Sequence, residues 1–236
     1  MTKAKVFDEM HGNLAEPFDY SKRAAEILRH RFVYETVKLL QPRPRRLLDI
    51  GCSRGQLTAK LTEIPDVLIA IDVSRIAVAG AREACHRRGR QSRAGLFVVG
   101  SATALPFRRD SFDCMVLSDG LHSWQLSEHE RRAALREATD ALMLGGHVVL
   151  TEYLRPEGFT GFVAQIQDGA LAVLSIRYLH DRLWYQFESW FKAIKGRPWV
   201  RRLLRSLSLA RSLQLIARLF GKYGSRHICV VARRAR

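Results

Sequence analysis

The hydrophobic residues of this chain form short continuous runs, separated by stretches in which they recur every three or four positions. Short apolar runs are typical of strands buried on both faces, and the wider spacing is typical of helices packed on one side. The pattern predicts strands at 46–50, 67–72, 96–99, 114–117 and 147–153. It predicts helices at 20–40, 55–63, 74–88 and 128–142. Such alternation favours a parallel sheet covered by helices on both faces.

The last third of the chain follows a different pattern. Residues 159–199 are rich in aromatic side chains and have helical spacing. Residues 212–220 then alternate between apolar and polar positions, a glycine-containing turn follows, and 226–232 is a β-branched run. We therefore predict a C-terminal hairpin made of 212–220 and 226–232.

Composition and charge favour one domain with a basic C-terminal part. The 236 residues are 47% hydrophobic, which suits a single domain with a proper core. The formal net charge is +16, but no acidic residue follows Glu188 and thirteen Lys or Arg lie from Lys192 onward, so the preceding residues carry only +3. Two interpretations of this basic part remain open, namely an arginine-rich composition and a functional basic patch.

The cysteines and the N-terminus indicate a cellular compartment. The four cysteines are far apart and form no C-x-x-C pair, so neither a disulfide framework nor a zinc cluster is indicated. The histidines show no metal-ligand spacing, and we predict no metal. The N-terminus lacks the apolar core of a signal peptide, and no uncharged run of 18 residues occurs. We predict a cytoplasmic protein, with peripheral contact at the membrane as an option.

The most informative stretch is 46–57, where a predicted strand ends in a turn. Asp49 closes the apolar run, and Gly51 and Gly55 bracket the turn before the helical pattern resumes. Glycines at such a turn let the main chain approach a bound ligand closely. A dinucleotide-binding G-x-G-x-x-G loop would need glycine at Ser53 and Gln56, so that class of loop is excluded.

This stretch resembles the first motif of class I S-adenosylmethionine-dependent methyltransferases, (D/E)-x-G-x-G-x-G, with Ser53 in place of the middle glycine. Later segments are similar to further family motifs in the family's order. Asp72 ends the second strand, and 100–107 is similar to G-D-A-x-x-L-P-F, with Ser101 where the family has Asp. Residues 110–122 resemble the family's fourth strand and the loop after it. The resemblance covers about 20–153 and the final hairpin.

The resemblance implies a Rossmann-like α/β fold. Its mostly parallel seven-stranded sheet would have the order 3-2-1-4-5-7-6, with a C-terminal antiparallel hairpin. The chain 1–236 would then be one domain. Its parts would be an N-terminal helical cap (1–45), a cofactor-binding core (46–153), an aromatic helical insertion between strands five and six (154–210) and the hairpin (211–236).

The resemblance also implies S-adenosylmethionine as cofactor and S-adenosylhomocysteine as product. The carboxylate of Asp72 would accept both ribose hydroxyls, while Ser101 and the main-chain N–H of Ala102 would read the adenine edge. The predicted cofactor-binding residues are Asp49, Gly51, Cys52, Ser53, Gly55, Asp72, Val73, Ser101, Ala102 and Ser118.

Candidate catalytic and substrate-binding residues follow the fourth strand and lie in the flanking segments. A sulfonium methyl group is already activated, so transfer depends mainly on positioning, and a base helps when the acceptor is a hydroxyl. His122 is the predicted base, with Asp119 as the second catalytic candidate. The alternative is that His122 caps a helix or contacts the cofactor. The predicted substrate-binding residues are His11, Tyr20, Trp184 and Trp190, and His30, His86, His129 and His180 are predicted at the surface.

The predicted function is methyl transfer to an oxygen or nitrogen of a small, apolar or lipid-like metabolite. A nucleic-acid methyltransferase is the second hypothesis, but no N-P-P-Y or Pro-Cys motif occurs, and no lysine lies between Lys60 and Lys192. A cofactor-binding module without turnover is the third, because Ser53 and Ser101 depart from the motifs.

A basic amphipathic helix is predicted at 197–207. Three arginines share one face of it and leucines lie largely opposite. Such a helix can rest on anionic lipid, and the alternative is a solvated helix packed on the core.

Overall fold

A seven-stranded sheet forms the centre of the molecule. The computed structural model describes residues 2–14, 16–17, 19–41, 43–87, 95–122, 125–168, 170–194 and 196–235. The strands are β1 (Arg46–Ile50), β2 (Val67–Asp72), β3 (Gly95–Val99), β4 (Phe112–Ser118), β5 (Leu142–Tyr153), β6 (Leu171–Tyr178) and β7 (His227–Arg234). Their order is β3-β2-β1-β4-β5-β7-β6, and β7 is antiparallel to both of its neighbours. The predicted fold class and strand order are confirmed.

Nine α-helices are described around this sheet. They are α1 (Lys3–Asn13), α2 (Ala24–Leu40), α3 (Thr58–Leu61), α4 (Arg75–His86), α5 (Glu128–Ala141), α6 (Phe159–Asp168), α7 (Arg182–Trp190), α8 (Pro198–Leu204) and α9 (Leu207–Ala217). Short 3₁₀ segments cover Pro156–Gly158, Lys192–Ile194 and Arg218–Gly224. No helix within the described residues combines the length and the apolar character needed to cross a bilayer.

Each face of the sheet packs against its own set of helices. Alternate residues of β4 go to opposite sides, so Met115 joins the cluster that includes α5 and α6, while Val116 joins the cluster that includes α2 and α3. Both residues are fully buried. Burial on both faces explains why the central strands are continuous apolar runs.

Strand six lies earlier in the chain than predicted, so the proposed hairpin partner at 212–220 is wrong. All of that stretch lies in α9 and the 3₁₀ segment that follows it. Leu215 and Leu219 satisfy helical spacing as well as alternation, and the Ser206 hydroxyl caps α9 by accepting the N–H of Leu209 at 3.3 Å. An N-cap followed by helical spacing therefore prevails over the alternating pattern.

The helical insertion is consequently also placed differently. Between β5 and β6 the described residues form α6 and a 3₁₀ turn, whereas α7, α8 and α9 lie between β6 and β7. β6 is an edge strand with largely half-exposed side chains, so its pattern is not that of a buried strand. For this reason the sequence pattern merges it with the aromatic helices.

Several boundaries differ from the prediction by a few residues. α3 is a single turn instead of the helix predicted at 55–63. β5 starts at Leu142, so the glycine pair 145–146 lies inside the strand instead of separating it from α5. Arg88, the predicted end of the helix at 74–88, lies outside the described residues.

The close approach of the β1 loop to α4 predicts different effects for two glycine substitutions. Gly55 and Gly145 have nearly the same φ, +79° and +78°, but a Cβ at Gly55 would lie 2.7 Å from the Ala81 Cα, whereas Gly145 has no atom of the described residues within 4 Å. Gly145→Ala should therefore lower the unfolding free energy by only about 1–2 kcal/mol, because alanine disfavours the left-handed backbone conformation. Gly55→Ala should lose about 1–3 kcal/mol more because of overpacking. Urea denaturation measures both, and equal losses would contradict the close approach.

Candidate active site

A cleft opens at the edge of the sheet where the parallel strands end. Its space is about 810 Å³, the part open to solvent included, which is in the range of ligand pockets. Ten of the predicted site residues line it, which are His11, Tyr20, Gly51, Ser53, Asp72, Val73, Ser101, Ala102, Ser118 and Asp119. The loops after β1, β2, β3 and β4 thus meet at one place, as expected for an open parallel sheet.

Asp72, at the end of β2, is a half-buried acid that lines this cleft. Its Oδ2 accepts the Ser53 N–H at 2.9 Å and its Oδ1 accepts the Ser74 N–H at 2.9 Å. Burial raises the pKa of Asp72, and these N–H groups oppose the rise. Because a carboxylate oxygen can accept two hydrogen bonds, each oxygen keeps capacity for a ligand hydroxyl.

Asp49, Cys52 and Gly55 lie behind the loop instead of lining the main cleft. The Asp49 carboxylate is 2% exposed and accepts the Thr58 hydroxyl at 2.6 Å. Burial raises the pKa of Asp49 to about 6. Asp49 and Cys52 line a small neighbouring cavity, and Gly55 packs on α4. This arrangement favours a loop-supporting role over the direct cofactor contact predicted for these three residues.

Ser101 begins a short turn at the far side of the cleft. Its hydroxyl lies 2.8 Å from the Thr103 hydroxyl and accepts the Thr103 N–H at 3.2 Å. The side chain is therefore partly engaged within its own turn. It retains hydrogen-bonding capacity, since a hydroxyl has one donor and two acceptor sites.

A second cleft of about 690 Å³ adjoins the first. The two clefts share Tyr20, Asp119 and Gln125. The remaining described residues of the second cleft are Arg23, Glu26, His122, Tyr153, Tyr185 and His227. The predicted base His122 thus lies in the second cleft, next to the boundary with the first.

A buried ion-pair network forms the floor of this second cleft. The Arg29 guanidinium, 2% exposed, lies 2.7 Å from Glu26 Oε2 and 2.9 Å from Asp119 Oδ2, and it donates to the Ser118 hydroxyl at 2.5 Å. Burial would raise the pKa of Asp119, but Arg29 and His227 hold it below its usual value. Asp119 is thus an ionised acid occupied by two partners, which favours a positioning role over the catalytic role predicted for it.

His227 joins the network because β7 runs against the other strands. Its strand begins at the edge where the parallel strands end, and His227 pairs in register with Tyr153. His227 Nδ1 lies 2.5 Å from Asp181 Oδ2, and Nε2 lies 3.2 Å from Asp119 Oδ2. Burial alone would lower the pKa of His227, but the two carboxylates raise it to about 10. The imidazole is therefore a buried cation at neutral pH.

His122 and Glu152 titrate differently from His227. Burial lowers the pKa of His122, so at neutral pH its imidazole is uncharged and able to accept a proton. Its ring stacks on Tyr153 with centroids 6.1 Å apart. Burial and the nearby Asp119 raise the pKa of Glu152 to about 8, so this 2%-exposed carboxyl is mostly protonated at neutral pH. Of the two, only His122 lines a cleft as described.

Three side chains are placed differently from the prediction. Trp184 is buried in an apolar cluster with residues of α2 and α8, and Trp190 is 77% exposed. Neither is among the described residues that line the two clefts. His30, predicted at the surface, is 5% exposed because α2 packs its first turns against the sheet edge. The aromatic walls come instead from Tyr20, Tyr153 and Tyr185.

Sequence reasoning missed Glu26, Arg29, Asp181 and His227. The helical pattern of α2 emphasised its apolar residues, while Glu26 and Arg29 look like an ordinary surface pair three residues apart. One signal was available for His227. It stands at the start of a predicted antiparallel strand. Such a strand starts at the edge of the sheet where the parallel strands end, which is the edge that carries the clefts.

Among the described residues, no group of three or more His, Cys, Asp or Glu side chains is arranged to hold a metal ion.

The paired carboxylates around His227 predict a pH-dependent stability. The pKa of His227 is about 10 in the folded state, against an ordinary 6.5. Protonation of His227 therefore contributes fully to the stability of the fold below pH 6.5, and this contribution is lost as the pH rises through 10. His227→Gln should lower the unfolding free energy at pH 7 by about 3–5 kcal/mol, because it leaves buried carboxylates without their cation. The difference from the unsubstituted protein should narrow toward pH 10.

Urea denaturation at pH 7, 8.5 and 10 measures this effect. His86→Gln, at an exposed position, is the matched control and should change little at any pH. A constant difference across the pH range would contradict a protonated His227.

Comparisons with known proteins agree with this geometry. Residues 48–150 match the family model described as a methyltransferase domain. A ubiquinone/menaquinone biosynthesis C-methyltransferase of Enterobacter sp. (strain 638) is 30% identical over 121 residues, covering 48% of this chain and 45% of that protein. The chain thus spans about half the length of the curated relatives it matches.

Two solved structures share the fold. The N-methyltransferase NodS from Bradyrhizobium japonicum WM9, in complex with S-adenosylhomocysteine, is 16% identical with a TM-score of 0.67, and the match covers 100% of both chains. The [4+2]-cyclase SpnF is 19% identical with a TM-score of 0.62, over 87% of this chain and 81% of that one. A cyclase among the neighbours illustrates that this fold alone does not fix the reaction.

The strand order, the acid at the end of β2 and these matches lead to one assignment. Residues 48–150 form a methyltransferase domain, and the sheet around them has the fold of the class I S-adenosylmethionine-dependent methyltransferases.

Proposed function

We propose that this chain transfers a methyl group from S-adenosylmethionine to a nucleophilic oxygen or nitrogen of a small molecule. The observation that carries the proposal is the half-buried Asp72 carboxylate, which lines a cleft and keeps hydrogen-bonding capacity on both oxygens. Two neighbouring ribose hydroxyls match a carboxylate of this kind. The family assignment supports the same cofactor.

The described residues fit such a cofactor. Asp72 would hold the sugar, and Ser101 and Ala102 would flank the base at the β3 end of the cleft. Gly51 and Ser53 line the same cleft, where the main chain would pass close to the cofactor. His11 and Tyr20, from the N-terminal segment, line the opposite side. When bound, the cofactor supplies an already activated methyl group.

The boundary between the two clefts is the proposed place of transfer. Tyr20 and Asp119 face both clefts, so a cofactor in the first and an acceptor in the second would meet there. The contacts of Asp119 with Arg29 and His227 fix the loop after β4 and hold this boundary in place. Fixed geometry of this kind is what in-line methyl transfer requires.

The second cleft also bears on the acceptor. Tyr153 and Tyr185 offer flat aromatic walls, while Arg23, Glu26 and Gln125 add hydrogen-bonding groups. We infer a small acceptor with an aromatic or amphipathic body and a polar nucleophile. The neutral His122 beside Tyr153 would take the proton that the nucleophile loses. Because the curated relatives include a C-methyltransferase, a carbon nucleophile is a named outcome of the test below.

The Asp72 proposal predicts a loss of cofactor affinity on substitution. Asp72→Asn should weaken S-adenosylhomocysteine binding by about 1.5–3 kcal/mol, the range for hydrogen bonds to a charged group. That range corresponds to roughly 10- to 150-fold in Kd. Isothermal titration calorimetry measures it. Asp66→Asn, at an exposed acid paired with Arg43, is the control and should bind normally. Unchanged affinity of Asp72→Asn would remove Asp72 from the proposed role.

The reaction is tested with ¹³C-methyl-labelled S-adenosylmethionine and extracts of the source cells. We expect label in a solvent-extractable small molecule, and the methyl carbon shift distinguishes attachment to oxygen, nitrogen or carbon. Label in a nuclease-sensitive fraction would instead support a nucleic-acid acceptor. Cofactor binding without any label transfer would instead support a cofactor-binding module without turnover.

Once an acceptor is identified, single-turnover methylation tests His122. His122→Gln should slow an oxygen or nitrogen transfer by about 10²–10⁴-fold, the usual range for a general base. Because burial lowers the pKa of His122, kcat/KM of the unsubstituted protein should fall only at a pH below 6.5. His129→Gln, at an exposed position, serves as control. A full rate in His122→Gln would leave His122 with a structural role.

A further inference from the structure

Five large apolar side chains are exposed together at the end of α9 and in the 3₁₀ segment that follows it. Leu219 is 84% exposed and Phe220 is 57% exposed, and each of the other three is at least half exposed. The full set is Leu215, Ile216, Leu219, Phe220 and Tyr223, which we call the α9 surface. Single exposed apolar residues are ordinary, but a contiguous group marks an interaction surface.

The α9 surface is the outer side of a segment that is firmly packed on its inner side. Leu215 and Ile216 lie in the last turn of α9, and Leu219 and Phe220 follow in the 3₁₀ segment, before the kink at Gly221. On the inner side Ala217 is fully buried and Gly224 is also buried. The exposed side chains therefore do not belong to the core of the fold.

Positive charge runs along one side of this surface. Arg211 and Arg218 are exposed, and Lys222 is half-exposed. Arg211 and Arg218 are seven residues apart, about two helical turns, so they lie on one side of α9, and Lys222 follows in the 3₁₀ segment. No ion pair is recorded for these three cations within the described part of the chain. The sequence contains no acidic residue after Glu188, so the segment has none of its own to neutralise them.

We propose that the α9 surface docks on an anionic lipid bilayer. An apolar stripe beside a row of Arg and Lys matches the boundary between acyl chains and acidic headgroups. A second copy of this chain fits less well, since a two-fold contact through this surface would bring like charges together. Nucleic acid would use the cations but leave the apolar stripe in water.

The lipid-facing element thus differs from the helix predicted at 197–207. In the structure Val200 and Leu204 of α8 pack into an apolar cluster. The arginines of α8 remain outside that cluster, but no leucine face is left for contact with lipid. The α9 helix supplies that apolar face. It packs against α2 and α7, the helices that contribute Glu26 and Tyr185 to the second cleft. Docking through the α9 surface does not depend on the methyl-transfer proposal.

Vesicle co-sedimentation tests the docking. The full chain is mixed with vesicles of phosphatidylcholine alone, or of phosphatidylcholine with about one-third phosphatidylglycerol. We expect binding to the anionic vesicles only, weakening as salt is added. The double variant Leu219→Glu, Phe220→Glu should lose at least about tenfold in partitioning. The double variant Arg218→Glu, Lys222→Glu should lose a similar factor in partitioning, and its remaining binding should no longer depend on salt.

Leu39→Glu is the matched control, because Leu39 is 81% exposed on α2, away from the α9 surface. It should partition like the unsubstituted protein. Circular dichroism and S-adenosylhomocysteine binding check that every variant is folded. Equal binding to both vesicle types, no binding at all, or an equal loss in Leu39→Glu would overturn the proposal. A dimer in light scattering that the Leu219→Glu, Phe220→Glu variant dissociates would assign the surface to contact between copies instead.

Discussion

The buried guanidinium of Arg29 is the interaction on which the candidate site depends. It comes from α2, outside the sheet, and contacts Glu26 on its own helix and Asp119 in the loop after β4. A desolvated cation is tolerated only with such partners, so the helix and the loop hold each other in position. His227 and Asp181 extend the arrangement to β7 and the start of α7. The second cleft thereby rests on four separate parts of the chain.

Much of the fold was predictable because its signals are local. The central strands are buried on both faces, so they are continuous apolar runs, and Ser74 and Ser127 cap the helices that follow in the way their sequences indicate. The cofactor side was predictable for a related reason. Asp72 and Ser101 directly follow strands, and the ends of parallel strands converge on one edge whatever lies between them.

The remainder depends on contacts that no local pattern records. β6 is an edge strand with half-exposed side chains, so its sequence does not stand out from the helices around it. Trp184 looked like a pocket wall, but the helices after β6 bury it among themselves. Glu26 and Arg29 are charged residues on a helix, and only the position of α2 against the sheet edge takes them out of water. Long-range packing decides each of these cases.

The place of β7 in the sheet has a consequence for how the chain assembles. β6 precedes β7 along the chain, yet β7 is its neighbour in the described sheet and separates it from β5. During synthesis β6 therefore leaves the ribosome before the strand that completes its backbone hydrogen bonds exists. The same late strand brings His227 to the second cleft, so the edge of the sheet and the second cleft are completed together.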